Sequence, residues 1–334
     1  MGQMQVHARR TVRAICLLSG GLDSQLSVCD LRDQNIEVHA VTFDSPFFHP
    51  AQGRRAAEAL GVPLHVIDFT TDIVDLLRDP PHGFGSCLNP CIDCHARMLR
   101  RTGELMTDLG ADVLATGEVL DQRPMSQNRD SLATVARESG YGDVVLRPLS
   151  ARLLEPTRPE REGKVDRARL LDLQGRGRKR QMELAASYGL TDYPTPAGGC
   201  RLTEPNFCKR LRDLIDHEGM AGVRALALLR YGRHFRLGDR VKAIVGRNER
   251  DNTWLEGGAE LYDLVLKVED IPGPVVLLPY TADEDQIRTA AAICARYSDC
   301  ESDAEVTVKI RSARDIRKIA ARPARDADIE HLRL

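Results

Sequence analysis

A glycine-rich turn between an apolar run and a helix-forming segment constrains this chain more than any other stretch. Ala14 to Leu18 is apolar, Ser19-Gly20-Gly21-Leu22-Asp23-Ser24 follows, and Gln25 to Leu31 can form a helix. In such a strand–turn–helix, backbone N–H groups and a helix N-terminus point at one spot, which attracts phosphate. Two adjacent glycines let the backbone approach the anion, and serine hydroxyls add donors. The stretch therefore predicts a phosphate-binding loop in which Asp23 caps the helix or holds Mg²⁺ against the phosphates.

The composition is that of a soluble globular protein. The 334 residues suffice for about two domains, and 42% of them are apolar. A net charge of −2 excludes a generally basic polyanion binder, so any RNA contact must come from local basic patches. No apolar run approaches the ~20 residues of a membrane helix, and none behind the N-terminal arginines is long enough for a signal peptide. We therefore expect a cytoplasmic protein without membrane contact, in which nine cysteines indicate metal or redox chemistry.

Strand and helix patterns alternate up to about residue 150. This alternation predicts a doubly wound parallel sheet with helices on both faces, that is, an α/β fold. Ligands in such sheets bind beyond the carboxyl ends of the strands. That rule places the glycine turn, the residues Thr42 and Phe43, and the stretch Thr116-Gly117-Glu118 around one crevice. The predicted strands cover residues 14–18, 36–43, 63–69, 111–116 and 142–146.

The second part of the chain has a different pattern. Proline and arginine are frequent from 151 to 204, after which helical patterns lead into strand-like pieces around one further helix. We therefore predict a catalytic domain over 1–204 and a smaller α+β domain over 205–334. The basic segment Arg311 to Arg325 contains Pro323, and we expect a charged, partly mobile tail there.

A pair of cysteines, Cys91 and Cys94, is the second informative feature. Asn89 can cap a helix and Pro90 suits its first position, so both thiols are expected on the first helical turn. Unpaired N–H groups and the helix dipole favour thiolates there. Cys200 follows Gly198-Gly199, a loop that suits close approach to another element, and is the third candidate thiol.

These thiols leave several chemistries open. A [4Fe–4S] cluster on three cysteines keeps one iron free for an external ligand. Zinc would suit a catalytic site on three thiols, or a structural site if Cys87 supplied a fourth. The string from Cys91 to His95 also matches the c-type haem attachment pattern, but that requires export, for which nothing here supplies a signal.

Four landmarks together resemble the PP-loop ATP pyrophosphatases that thiolate tRNA, the group of 4-thiouridine synthases and 2-thiouridylases. The resemblance implies an adenine nucleotide alpha hydrolase-like (HUP) fold and cleavage of ATP to AMP and pyrophosphate. The family's TGExxGQxxSQ loop has glycine where this chain has Asp121. Residues from about 225 onward, above all Tyr231 to Arg236, resemble an NFACT-R-type RNA-binding module. The landmarks are 19–24, Asn89-Pro90-Cys91-Ile92-Asp93-Cys94, 116–127 and Ala197-Gly198-Gly199-Cys200.

The resemblance also implies roles for single residues. Cys94 and Cys200 match the reactive positions of 2-thiouridylases, and Cys91 adds the thiol of iron–sulfur-dependent members. Asp23 would position Mg²⁺, and the cluster ligands would be Cys91, Cys94 and Cys200. The ATP-binding residues would be Ser19, Gly20, Gly21, Asp23, Ser24, Thr42, Phe43, Gly117, Glu118, Gln122 and Gln127.

The predicted reaction is ATP-dependent thiolation of a tRNA uridine. Adenylation turns the carbonyl oxygen into a leaving group, pyrophosphate leaves, and sulfide from a sulfur donor displaces AMP. The preferred version holds hydrosulfide on the open iron of a [4Fe–4S] cluster. One alternative uses a persulfide on one cysteine and a disulfide to release the sulfur. Another is a PP-loop amidotransferase or ligase that carries zinc and acts on a small carboxylate.

A cluster of basic side chains precedes a helical pattern at Gln181. Arg176, Arg178, Lys179 and Arg180 can grip phosphates of tRNA, although a solvated basic helix start fits the same pattern. An aromatic content of 4% leaves few stacking platforms, so recognition of RNA shape and backbone is favoured over reading of single-stranded bases.

Overall fold

The computed structural model describes residues 11–195, 200–220 and 222–334. The chain divides into two compact units, Met1–Thr203 and Glu204–Leu334. Each unit is built around one β-sheet. The predicted loop Ala197-Gly198-Gly199 lies outside the described residues.

The sheet of the first unit is parallel, with strand order β3-β2-β1-β4-β5. Strands β2 and β3 are added on one side of β1, and β4 and β5 on the other. The carboxyl ends of β1 and β4 therefore flank the topological switch point where such sheets bind ligands. The prediction of a doubly wound α/β fold is confirmed. Within the described residues the strands are β1 (Arg13–Leu17), β2 (Glu37–Asp44), β3 (Leu64–Asp68), β4 (Val113–Ala115) and β5 (Val145–Leu146).

Helices cover both faces of this sheet. Ala14, Ile15 and Cys16 are all fully buried, as expected for a central parallel strand. Ala14 and Cys16 pack with α1 and α2 in one core, while α4 contacts β1 and β4. Described helices of this unit are α1 (Leu22–Asp33), α2 (Ala51–Leu60), α3 (Thr70–Arg78), α4 (Cys91–Asp108), α5 (Arg129–Ser139), α6 (Arg158–Arg161) and α7 (Lys179–Ser187).

The second unit contains an antiparallel sheet with strand order β11-β10-β8-β9-β7-β6. Its strands are β6 (Arg233–Gly238), β7 (Val241–Val245), β8 (Asp263–Val268), β9 (Val276–Pro279), β10 (Val306–Arg311) and β11 (Ile316–Ala321). Its described helices are α8 (Pro205–Glu218), α9 (Val223–Leu228), α10 (Glu249–Gly257), α11 (Glu284–Arg296) and α12 (Asp326–Ile329). A smaller α+β part was therefore correctly predicted.

The two faces of the second sheet are covered differently. One face packs against α11, with Val308 and Ile310 of β10 buried in that core. On the other face, Leu228 and Leu255 cover β7, β9 and Val265 of β8. The exposed alternate residues of β10 show that this covering does not extend to the sheet edge formed by β10 and β11.

The prediction of a partly mobile tail from Arg311 to Arg325 is wrong. Residues 316–321 form β11, which pairs in register with β10, and 326–329 form α12. Alternation along β11 is weak because both its faces are partly exposed, which explains why the pattern read as a charged tail. Among the described residues, no helix is both long and apolar enough to cross a bilayer.

Candidate active site

The glycine turn lies between β1 and α1, at the switch point. Gly20 has a φ of +83°, and a Cβ there would lie 2.5 Å from the backbone carbonyl carbon of Gln52, so only glycine fits. Gly21 is the N-cap of α1. The Ser19 and Ser24 hydroxyl oxygens are 3.3 Å apart. The turn thus points hydroxyls and a helix N-terminus at one place, as a phosphate site requires.

The loop after β4 meets this turn directly. A Cβ on Gly117 would lie 2.6 Å from the backbone nitrogen of Ser24, so the two loops touch at the start of α1. Gln122 continues this contact by donating from Nε2 to Asp23 Oδ2 at 3.0 Å. The structure therefore brings the predicted residues after β1 and after β4 together.

Asp23 is the charged centre of this contact. Its Oδ1 is buried and accepts no hydrogen bond among the described residues. Burial raises the pKa of Asp23, opposed by the hydrogen bond from Gln122 and by the charges of Arg178 and Arg123. An orphaned buried carboxylate oxygen beside a phosphate-type loop is suited to a Mg²⁺ ion.

Arg178, which the sequence assigned to RNA, lies beside Asp23. Its Nε is buried and has no hydrogen-bond partner among the described residues. Gln181, one turn further along α7, is also close enough to Asp23 to lower its pKa. The other basic residues of this group differ: Arg180 is bound to Asp172 at 2.8 Å, and Arg176 and Lys179 are exposed.

Asp121 keeps the backbone shape that the family's glycine provides. Its φ is +59°, in the left-handed region that aspartate tolerates better than most residues. The carboxylate accepts a hydrogen bond from Gln174 Nε2 at 2.7 Å, which anchors it in this conformation. The departure from the family pattern therefore leaves the local turn intact.

Glu118 ties the nucleotide loop to the cysteine helix. Its carboxylate contacts His95 Nδ1 at 2.8 Å and Arg147 Nε at 2.9 Å. Burial would raise the pKa of Glu118, but the charge of Arg147 and the contacts with His95 outweigh it and lower the pKa to about 2. Both oxygens of Glu118 are engaged, so this predicted ATP residue also holds the neighbouring elements together.

The remaining predicted ATP residues lie at this edge or next to it. Thr42 and Phe43 are buried near the carboxyl end of β2. A Cβ on Gly53 would meet Thr42 Oγ1 at 2.6 Å, so α2 packs closely there. Gln127 is buried, and its Oε1 has no hydrogen-bond partner among the described residues.

The cysteine helix α4 begins at Cys91, with Pro90 rather than Asn89 at the N-cap. Asn89 instead donates from Nδ2 to Cys91 Sγ at 3.1 Å. Burial raises the pKa of Cys94 well above its usual value, and negative charge on Cys200 and Cys91 raises it further. The expectation that the helix start would favour a Cys94 thiolate is therefore wrong, because burial and neighbouring thiols dominate.

Cys200 is brought to the cysteine helix from over a hundred residues away. Negative charge on Cys200 raises the pKa of Cys94, so Cys200 lies within electrostatic range of the start of α4. Two contacts hold the segment: Arg201 N donates to Phe47 O at 3.2 Å, and Cys87 Sγ donates to Thr203 O at 3.9 Å. The structure thus gathers the predicted thiols, beside a helix that Glu118 joins to the nucleotide loop.

Whether the site could hold a metal depends on which possible ligand side chains lie together. Across residues 11–195, 200–220 and 222–334, no three His, Cys, Asp or Glu side chains form a group that could hold a metal ion. Three thiols have suitable chemistry for iron or zinc, and Cys91, Cys94 and Cys200 are the residues that would hold such a group. The site also contains a pair that sequence patterns did not indicate, His82 Nδ1 with Asp93 Oδ1 at 2.6 Å.

Comparison with known families agrees with this geometry. Residues 10–152 match the family model described as "Thiamine biosynthesis protein (ThiI)". This part of the first unit is therefore similar to that family. Residues 232–333 match the model described as "NFACT protein RNA binding domain". The PP-loop domain and the RNA-binding module recognised from the sequence are both confirmed.

Individual relatives are similar to differing extents. A "tRNA-specific 2-thiouridylase MnmA" from Methylobacterium nodulans is 32% identical over 138 residues, 35% of this chain and 35% of that protein. One from Jannaschia sp. is 27% identical over 357 residues, 95% of this chain and 86% of that protein. The chain therefore spans about a third of the first of these proteins and most of the second. A solved 4-thiouridine synthetase–RNA complex with bound ATP has a TM-score of 0.33 and 23% identity, covering 46% of this chain and 39% of that one.

Proposed function

We propose that this chain is an ATP-dependent sulfurtransferase that converts a tRNA uridine to a thiouridine. The carrying observation is the meeting of Cys200 with Cys94, on a helix joined by Glu118 to the loop that touches Ser24. Phosphate-binding groups and a thiol pair then serve one crevice. ATP activation and sulfur transfer both require this neighbourhood.

The first step is adenylation of the uridine carbonyl oxygen. That oxygen attacks the α-phosphorus, and pyrophosphate leaves with the electron pair of the broken P–O bond. Gly21 N, at the start of α1, and the Ser19 and Ser24 hydroxyls stabilise the charge that develops on the phosphates. Arg178 adds a fixed positive charge beside them. Asp23 Oδ1 is the atom that would hold Mg²⁺, which supplies charge neutralisation when bound.

The second step uses a thiol pair. A donor persulfide first transfers its outer sulfur to the Cys200 thiolate: the donor S–S bond breaks, the donor thiol leaves, and Cys200 carries a persulfide. Cys200 is the more accessible thiol, since Cys94 is only 9% exposed. The terminal sulfur attacks the activated carbon, and AMP leaves with its bonding electrons. Cys94 then attacks the Cys200 sulfur, forming a Cys94–Cys200 disulfide and leaving the transferred sulfur on the base as a thiocarbonyl. An external dithiol reduces the disulfide before the next turnover.

The raised pKa of Cys94 explains why its attack follows the attack of the persulfide on uridine. Negative charge on Cys200 disfavours a Cys94 thiolate. When the persulfide becomes bonded to uridine, that charge is lost and the Cys94 thiolate becomes easier to form. Cys94 therefore becomes a reactive thiolate only after the outer sulfur on Cys200 has bonded to uridine.

Nucleoside mass spectrometry after incubation of the full chain with ATP, Mg²⁺, a persulfide as sulfur donor, a dithiol reductant and a tRNA transcript tests the function. We expect a gain of one sulfur in place of one oxygen on a uridine, with pyrophosphate release that depends on tRNA. Pyrophosphate release without tRNA, driven by a small carboxylic acid, would contradict the proposal.

Iron analysis of the anaerobically purified protein tests the sulfur step. The [4Fe–4S] version predicts iron and acid-labile sulfide in proportion to activity, whereas the thiol-pair version predicts an active protein without iron. Cys87→Ser serves as the matched control for Cys94→Ser and Cys200→Ser. We expect activity within about twofold for the control and a loss of at least about a hundredfold for the other two.

A further inference from the structure

One row of lysines crosses the second sheet at its uncovered edge. Lys309 of β10 pairs directly with Lys267 of β8 on one side and with Lys318 of β11 on the other. Residues directly opposite in antiparallel strands project from the same face, with Cβ atoms about 4.5–5.5 Å apart. Three cations therefore lie side by side on the face that α11 does not cover.

Two of the three lysines have a glutamate partner, and the central one has none among the described residues. Lys267 contacts Glu256 and Lys318 contacts Glu269, both at 2.6 Å, but these pairs are partly exposed and weak in water. Lys309 has no acidic side chain in ion-pair contact among the described residues, and it is exposed. Like charges directly opposite each other destabilise a sheet, so the row costs stability that the fold does not require.

The same face continues into an open groove. Arg311 of β10, whose ion pair with Glu256 is 3.7 Å long, lines a groove of about 500 Å³ together with Tyr262 and the turn at Ser312. The groove also contains two carboxylates, Glu260 and Asp263, and Arg224 forms an ion pair with each of them. Tyr262 is 79% exposed, so its ring is available to a partner. A cation row beside an exposed aromatic ring suits a chain of phosphates that carries bases, because phosphates neutralise the lysines and a base can stack on the ring.

We propose that the Lys267–Lys309–Lys318 row and the adjoining Arg311 groove form the surface of this chain that binds the tRNA phosphate backbone. The inference rests on the proposed function for the identity of the RNA. It assigns to this sheet face the contact that the sequence gave to Arg176–Arg180. Charge complementarity and the location within the 232–333 family match favour RNA over an acidic protein as the partner.

The test compares Lys309→Thr and Lys318→Thr with Arg317→Thr in the full chain. Arg317 lies next to Lys318 on the same strand but on the opposite face, where it contacts Glu284 of α11. Each lysine variant is expected to bind a tRNA transcript roughly three- to tenfold more weakly at low salt, and to lower the slope of log K against log salt by about 1. Arg317→Thr should leave both unchanged. The lysine variants should melt at the same or a higher temperature, since a like-charge contact is removed.

Three outcomes would overturn the proposed surface. They are an equal loss of tRNA affinity in Arg317→Thr, unchanged tRNA affinity in both lysine variants, or binding of poly-glutamate by the wild type as tight as its binding of tRNA. A Tyr262→Ser variant adds a further check, since its affinity for tRNA should fall more than its affinity for a blunt RNA duplex. If the wild-type chain binds no tRNA at all, the proposed function fails. If it binds and thiolates tRNA while the lysine variants match it, only the surface fails.

Discussion

The guanidinium of Arg178 faces the carboxylate of Asp23, and its charge opposes the rise in pKa that burial imposes on that carboxylate. Both side chains carry a buried polar atom without a hydrogen-bond partner among the described residues, Arg178 Nε and Asp23 Oδ1. Unsatisfied buried groups of opposite charge at one phosphate-type loop are suited to an ion and an anion that bind there together.

Arg178→Gln therefore tests whether this residue serves ATP or RNA. We expect the KM for ATP in pyrophosphate release to rise by about tenfold to a hundredfold, because a fixed charge beside the phosphates is lost. Affinity for tRNA should stay within about twofold. Arg176→Gln is the matched control, as Arg176 is exposed on the same loop. A loss of tRNA affinity with unchanged ATP kinetics would return Arg178 to the RNA surface.

The position of Arg178 also marks the limit of what sequence patterns could predict. The turn at Ser19–Ser24 was predictable because strand, glycines and helix are adjacent in the chain and act locally. Arg178 meets Asp23 only through the packing of α7 against α1, which no local pattern encodes. From the sequence alone, a run of basic residues predicts polyanion binding, even where the fold places one of them beside a carboxylate.

For the cysteines, sequence patterns predicted the position but not the protonation state. Their residue types and spacing predicted a meeting of Cys200 with the helix that starts at Cys91, and the structure places them so. The protonation state of Cys94 was predicted wrongly, because the helix start is a local feature whereas burial is a property of the whole unit. The ion pairs of Glu118 could not be predicted for the same reason, since its partners His95 and Arg147 come from distant segments.

Replacement of Asp121 tests the left-handed turn. Asp121→Gly should leave the free energy of unfolding within about 1 kcal/mol, because glycine adopts this φ freely although the hydrogen bond from Gln174 is lost. Asp121→Val should destabilise the protein by about 1–3 kcal/mol, since a β-branched residue is strained there. Urea unfolding of both variants measures the difference, and equal stabilities would show that the turn tolerates any residue.

The ion pairs of Glu118 predict acid sensitivity. The pKa of Glu118 is lowered to about 2 from its ordinary 4.5, so its ionised form stabilises the folded state above pH 4.5. That contribution, about 3 kcal/mol, is lost as the pH falls from 4.5 towards 2. Urea unfolding across this range should show a steeper loss for the wild type than for Glu118→Gln. At pH 7 the variant should be the less stable of the two, because Arg147 is left buried without its carboxylate. If the free energies of unfolding of the wild type and Glu118→Gln changed equally with pH, the lowered pKa of Glu118 would be contradicted.

Asp30 predicts the opposite dependence on pH. Burial raises the pKa of Asp30 to about 7, helped by the charge of Asp33 and opposed by that of Arg169. The folded state therefore keeps a proton that the unfolded chain loses, and stability falls as the pH rises from about 4 to 7. Asp30→Asn removes this titration. Its gain in free energy of unfolding should be larger at pH 8 than at pH 5 by about 2 kcal/mol, and a gain that does not change with pH would contradict the raised pKa.

The coupling between Cys94 and Cys200 can be measured directly through thiol reactivity. Negative charge on Cys200 raises the pKa of Cys94, so Cys200→Ser should lower that pKa and speed alkylation of Cys94 by iodoacetamide at a fixed pH. Mass spectrometry of the peptide containing Cys94, followed over a pH series, gives the rate and the apparent pKa. Cys87→Ser is the control, because Cys87 is not among the groups that shift the pKa of Cys94. An unchanged alkylation rate in Cys200→Ser, with the fold intact by circular dichroism, would show that the two thiols do not interact, and the thiol-pair step would have to be abandoned.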